Sequence, residues 1–308
     1  MNKYRIGKLL LLPLLLGTFG ACSDFDAVPL EYKEDPAFDV DPAWELELLG
    51  GQPDDRVVVY KDKKYDKLFT RTLGWNGGDG VLTTLLPDGN AFWSFNDSFY
   101  GVVDGETRAR GDCSFPRNSI MVQTPGNDFV QTTNPETSRY YQARTHIRHP
   151  KASLSDDKIQ EGEIDQDWLY WAGDATVCDN KLQVLWNGVD NTNPDALMRH
   201  EGICLAIYSL EGKPGDENYM KMLSANHNFN PVDIYGFGST LWEDEDGHTY
   251  LYGSYNNYDV VVARSTTHDL DSPWEYYVCD ASGQYIWQHS YPTQEEISRS
   301  RIQETDCS

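Results

Sequence analysis

Trp171-Ala172-Gly173-Asp174-Ala175-Thr176-Val177-Cys178, then Asp179-Asn180, then Lys181-Leu182-Gln183-Val184-Leu185-Trp186-Asn187, is the segment in which the folding pattern of the chain is plainest. Two runs rich in β-branched and aromatic residues flank a polar two-residue turn, which predicts a β-hairpin. Two further segments lie over it. One runs from Gly77 to Leu86, turns at Pro87-Asp88-Gly89-Asn90 and returns from Ala91 to Asp97. The other runs from Gly236 to Trp242, turns from Glu243 to Gly247 and returns from His248 to Ser254. Each hairpin is followed by two strand-like runs: 119–124 and 128–132, then 203–210 and 219–223, then 260–265 and 274–278. Four antiparallel strands per unit, repeated, predict an all-β chain built as a β-propeller of four-stranded antiparallel blades. A sandwich would give similar strand spacing; the recurring Gly-Asp or Gly-Ser opening favours the propeller.

The spacing of the units carries more. Asp174 and Ser239 are 65 residues apart, whereas Asp79 and Asp174 are 95 apart. The excess falls between Asn134 and Gln166, a polar segment containing Arg144-Thr145-His146-Ile147-Arg148-His149. It reads as a long loop on one face, where function commonly resides. A further 65 residues from Ser239 reaches Glu304, so the spacing expects a fourth unit where the chain stops. On that reading residues 56–308 are a five-bladed type of propeller, incomplete at its C-terminal end.

Outside the repeats, Lys3, Arg5 and Lys8 precede a short Leu-rich run, and Gly17-Thr18-Phe19-Gly20-Ala21 leads to Cys22. A basic start, a short apolar core and small residues before a cysteine describe a secretory leader over residues 1–21. Lipidation at Cys22 would tie the mature chain to a membrane. Residues 22–55, rich in Pro and acids, read as a tether. The expected location is the outer membrane, as a lipoprotein facing outward. The whole chain has a formal charge of −24, and loss of the leader's three basic residues deepens it to −27. Such acidity excludes nucleic acid, which demands a concentrated basic face. Aromatic residues make up 13% of the chain, enough rings to build a core. No pair of cysteines has metal or redox spacing. Asp244-Glu245-Asp246-Gly247 has half the pattern of a calcium loop and reads as a hairpin turn. No cofactor and no catalytic metal are expected, a structural calcium at that turn aside.

In a propeller, the start of each first strand sits at one mouth of the central tunnel. Asp79 and Asp174 hold that place in the first two units, and Ser239 holds it in the third. Asp97 closes the return strand of the first hairpin. Counted from the turn, Asp79 and Asp97 stand at nearly equal distances, which puts them at the same end of the hairpin. Neighbouring carboxyls cannot both ionise easily, and a pair that holds one proton suits acid/base glycosidic chemistry. Asp79, Asp97 and Asp174 are therefore the candidate catalytic residues, Asp79 as base or nucleophile and Asp97 and Asp174 as partner acid or pKa modulator, although Asp beside Gly also caps turns. Trp75, Trp171 and Tyr235 flank these positions and could stack on sugar faces, or pack between blades. Asn76, Asn96 and Ser239 could bond hydroxyls.

The run Gly74-Trp75-Asn76-Gly77-Gly78-Asp79-Gly80, followed by Phe92-Trp93-Ser94-Phe95-Asn96-Asp97-Ser98-Phe99-Tyr100-Gly101, resembles a Bacteroidetes lipoprotein family known as domain of unknown function 5005. It is also similar to a related propeller family, numbered 4185, some of whose members cleave D-arabinan. Both resemble the five-bladed furanosidase propellers of arabinanases and levanases. The resemblance implies a catalytic Asp at Asp79 and a furanose-containing, arabinan-like substrate. Where those enzymes carry an acid in a later blade, this chain has Ser239. The function expected is a cell-surface glycoside hydrolase whose partner is a poly- or oligosaccharide, with other outer-membrane glycan-utilisation proteins as neighbours. The contrasting readings are a glycan-binding propeller without turnover and an outer-membrane scaffold.

Overall fold

The computed structural model describes residues 46–50, 59–125, 129–131, 143–196, 198–230, 237–255 and 259–302. The expected leader, the lipidation site Cys22, Tyr235, Gly236 and Cys307 lie outside the described residues. Strand β1 (Leu46–Gly50) pairs antiparallel with β2 (Val59–Asp62), so pairing begins within the stretch read as tether. Helix α1 (Lys63–Phe69) leads into β3 (Leu73–Gly78), β4 (Leu82–Leu85), β5 (Ala91–Phe95), β6 (Ser98–Val103), β7 (Arg110–Ser114), β8 (Ser119–Gln123) and β9 (Phe129–Gln131). These divide between two sheets, β4-β5-β8-β9 and β3-β6-β7.

After helix α2 (Asp156–Glu161) come β10 (Trp168–Cys178), β11 (Lys181–Asp190), β12 (Arg199–Leu210) and β13 (Tyr219–Asn230), a four-stranded meander. The next sheet is β14 (Thr240–Glu243), β15 (Thr249–Tyr255), β16 (Asp259–Ser265), β17 (Trp274–Cys279) and β18 (Tyr285–Gln288), followed by helix α3 (Gln294–Arg299). The chain is thus all-β, with four-stranded antiparallel sheets and three short helices among the described residues. The first strands of successive sheets, β4, β10 and β14, are neighbours. That arrangement is compatible with propeller blades.

The hairpin at Asp179-Asn180 forms where the sequence places it. Asp179 and Asn180 both have positive φ, 48° and 56°, the geometry of the two-residue turn that matches strand twist. The first repeat departs from the expectation. Gly77 and Gly78 end β3, which pairs with β6 rather than continuing into β4. The β6–β7 hairpin is inserted between β5 and β8, and nothing in the repeat pattern announced it.

The apolar run of β11 is continuous because both its faces are covered. On one side Val184 and Trp186, with Tyr170 and Tyr208, pack against Leu86, Phe92, Ile120 and Val122 of the β4-β5-β8-β9 sheet. On the other side Leu185, with Ile203 and Leu205, packs against Phe237, Leu251, Val261 and Trp274 of the β14–β18 sheet. A third cluster joins Trp75 of β3 and Tyr100 of β6 to Phe95 and Met121. Each fully buried ring or Leu in these layers contributes about 1.5–3 kcal/mol.

The expected long loop returns to the core at 143–151. Asn118 pins it, accepting from the Ile147 N–H at 2.9 Å and donating to the Ile147 and Tyr170 carbonyls at 3.0 and 2.8 Å. Ring contacts then fix two histidines, His146 on Tyr208 and His149 between Trp168 and Tyr170. Burial holds both imidazoles down, each to about 4. Cys113, Cys178, Cys204 and Cys279 are free thiols. Among the described residues no helix is long and apolar enough to cross a membrane.

Two consequences can be measured. Gly238 has φ of 93°, and an added Cβ would collide with the Leu185 side chain. Gly238→Ala is expected to lower unfolding free energy by about 1–3 kcal/mol in urea titrations. The folded histidines bind fewer protons than the unfolded ones, so their stabilisation is present above about pH 6.5 and is lost as pH falls toward 4. Through that window each ring should remove roughly 1.4 kcal/mol per pH unit. Urea titrations at pH 7 and pH 5 check this, and His149→Gln should reduce the drop.

Candidate functional site

Antiparallel pairing of β4 with β5 sets Leu82 opposite Ser94, and extending that register brings Asp79 to Asp97. The Asp79 N–H donates to the Asp97 carbonyl at 3.1 Å, and the Asn96 N–H donates to the Asp79 carbonyl at 2.9 Å. One residue thus faces two, which is the count of a β-bulge and a device for re-aiming a side chain. Gly80 makes the approach possible: its φ is 53°, and a Cβ there would run into the Asn96 amide. Asp79 is exposed and Asp97 half-buried. Partial burial pushes the Asp79 carboxyl above its ordinary range, and the Asp97 charge pushes it further.

Behind the pair stands Arg117, whose side chain is only 12% exposed. Its Nη1 meets Asp97 Oδ1 at 3.2 Å, its Nε donates to the Asp165 carbonyl at 3.1 Å, and its Nη2 donates to Gln166 Oε1. The guanidinium also lies over the Phe115 ring, 5.1 Å from its centre. Asp165, itself 4% exposed, receives Arg148 through two bonds of 2.6 and 3.1 Å. A chain of polar contacts therefore links the end of β5 to the segment that enters β10.

The other expected site residues sort by what they touch. Trp75 is 3% exposed and packs among Phe69, Phe95 and Tyr100, so its ring has no face for a sugar. The expectation of stacking at Trp75 gives way to core packing. Asn76 is buried, donating to the Gly74 carbonyl at 3.1 Å and accepting from Arg110 Nε at 2.9 Å. It too is structural rather than a hydroxyl contact. The Asn96 Oδ1 accepts the Ala172 N–H at 2.7 Å and so joins two sheets. Asp174 does the same on the other side. Its Oδ1 accepts the Ala175 N–H at 2.9 Å and its Oδ2 the Leu241 N–H at 2.8 Å, so both carboxylate oxygens are engaged in holding backbone. Trp171 is half-buried beside Asn187 on β11, and Ser239 is exposed.

The structure thus brings Asp79 and Asp97 together, and gives Asp174 and Asn96 the task of docking sheets. Arg117, Gln166, Asp165 and Arg148 had no motif to mark them. An arginine after Pro116 in a strongly acidic chain was the available signal. Among the described residues no cluster of three His, Cys, Asp or Glu is placed to hold a metal. The Asp244–Gly247 segment forms a hairpin turn in which Asp246 accepts the His248 N–H and the Tyr250 hydroxyl. A depression of about 460 Å³ lies at the Asp179–Asn180 end of the second meander, lined by Lys181, Lys221, Glu211 and Leu223. It has no aromatic ring for a sugar face.

A carboxyl crowded by its neighbour and an amide that docks two sheets should respond oppositely to substitution. The folded Asp79 has a raised pKa, so its stabilisation is present below the unfolded value and is lost as pH rises through the folded one. Asp79→Asn is therefore expected to melt no lower than wild type at pH 7, whereas Asn96→Ala, which orphans the Ala172 N–H, should cost about 1–3 kcal/mol. Thermal and urea unfolding of the two variants make the comparison.

No protein of curated function matches the chain. The crystal structure of a protein from Bacteroides ovatus ATCC 8483, named as a candidate hydrolase, superimposes with a TM-score of 0.80 at 59% sequence identity. The likeness covers 88% of this chain and 68% of that one. The family model described as domain of unknown function matches residues 62–307, most of the chain, and the chain belongs to that family, DUF5005.

Proposed function

We propose that the chain is a glycoside hydrolase, working on a furanose-containing, arabinan-like polysaccharide at the mouth of a propeller of the five-bladed type. The observation that carries the reading is the carboxyl pair: Asp79 lies beside Asp97 at one hairpin end, raised by partial desolvation and by the Asp97 charge. A carboxyl with a raised pKa holds its proton to higher pH than an ordinary one, and can protonate the glycosidic oxygen as its bond to the anomeric carbon breaks. The leaving sugar departs as an alcohol, a water molecule adds to the anomeric carbon, and the Asp79 carboxylate takes the proton that water loses, which restores the acid. Asp97 in this scheme is the neighbour that raises Asp79, not a second flanking acid. The naming of the Bacteroides ovatus relative as a candidate hydrolase supports the reaction class. Of the expected positions, the exposed Ser239 is left to meet hydroxyls and the half-buried Trp171 to stack on a sugar face. In the same proposal the protein works at the cell surface, held by a lipid on Cys22.

Screening the full chain on a panel of plant and microbial polysaccharides tests the proposal, with Asp79→Asn alongside. Release of reducing sugar should fall about 10²–10⁴-fold in the variant. Hydrolysis that survives Asp79→Asn unchanged would remove the assigned role, and tight binding without any product would make the protein a glycan-binding module.

A further inference from the structure

Two aspartates at one hairpin end are equivalent by chemistry, and something must make them unequal before one can act as an acid. Asp97 faces a guanidinium at 3.2 Å. Asp79 has, among the described residues, no cation paired with it; its partners are backbone N–H groups and the Asp97 charge. Two further arginines have partners of their own. Arg110 donates to Asn76 and lies over the Phe99 ring, and Arg148 is bound to Asp165.

Arg117 cannot readily move to Asp79. All three of its nitrogens are used, by Asp97, by the Asp165 carbonyl and by Gln166, and a ring lies beneath it. A fork held on three sides presents its charge in one direction. Its anchor also matters, because Asp165 and Gln166 lie in the segment that enters β10. Arg117 therefore ties the protonation of the pair to the docking of the second sheet on the first.

We propose that Arg117 is the positioning residue of this site: it holds Asp97 as the anion and so leaves Asp79 as the member that carries and delivers the proton. The inference rests on the hydrolase reading for its purpose, but its physical content stands without turnover. Arg117 touches neither substrate nor the reacting bond. It acts through Asp97, and its partners Gln166 and Asp165 act through it.

The test is a pH titration of the aspartate carboxyl carbons by NMR, in the full chain with ¹³C-labelled aspartate, assigned by Asp79→Asn and Asp97→Asn. In wild type the step at higher pH should appear on Asp79 with little amplitude on Asp97. In Arg117→Met the proton should be shared, so that Asp97 takes a comparable part of that upper step. Arg117→Lys, which keeps the charge and loses the fork, should fall between the two. An upper step on Asp97 in wild type, or amplitudes unchanged in Arg117→Met, would overturn the proposal. Should Arg117→Met fail to fold, Asp97→Asn decides: the Asp79 midpoint must move to lower pH, and an unmoved midpoint overturns it. A chain that shows the expected titrations but cleaves no polysaccharide would refute the hydrolase reading and leave the role of Arg117 intact. Cleavage together with an unaltered titration in Arg117→Met would do the reverse.

Discussion

The free edge of β10 organises the sheets around it. This 11-residue strand is paired on one side, by β11, and its other edge must be satisfied by neighbouring sheets. A bulge between Ala172 and Ala175 turns its backbone groups alternately outward. Toward the first sheet, the Ala172 N–H is met by Asn96 and the Ala175 carbonyl by the Thr84 hydroxyl at 3.1 Å. Toward the third sheet, the Asp174 N–H is met by the Gly238 carbonyl at 2.7 Å, and the Asp174 carboxylate returns a bond to Leu241. The same edge thereby fixes Asn96, the residue next to Asp97, and the bonds of Asn96 and Asp97 to Asp79 carry that order to the carboxyl pair.

Much of this was legible in the sequence, and the boundary of legibility is physical. Hairpins could be read because a two-residue turn and strand alternation are local signals, and Asp179-Asn180 states its turn outright. The meeting of Asp79 and Asp97 followed from counting residues about a turn, which is also local. What could not be read was which polar residues beside glycines would be spent on backbone. Asn96, Asp174 and Asn76 have the composition of sugar contacts, yet each meets a backbone or side-chain group that only the tertiary fold supplies. Trp75 was ambiguous for the same reason, since a ring near a glycine-rich strand end can face a ligand or a third sheet. The β6–β7 insertion supplies that third sheet, and no periodicity foretold it. Arg117 was invisible because its meaning lies in the carbonyl of Asp165, 48 residues away.

The charge of the chain gains meaning from this geometry. An excess of acids makes any buried cation conspicuous, and the two arginines next to the site, Arg117 and Arg148, are both engaged with acids or carbonyls. They order the carboxyls rather than recruit a polyanion. A neutral polysaccharide imposes no electrostatic cost on approach to such a surface, which accords with the hydrolase reading of a DUF5005 chain.

A crystal structure of the chain with a bound oligosaccharide would show which carboxyl meets the scissile bond. The account predicts a glycosidic oxygen within hydrogen-bond distance of an Asp79 carboxyl oxygen, with Asp97 and Arg117 behind it and out of contact with the sugar. A sugar seated elsewhere, for instance in the depression beside Lys181 and Lys221, with Asp79 still facing solvent, would contradict it.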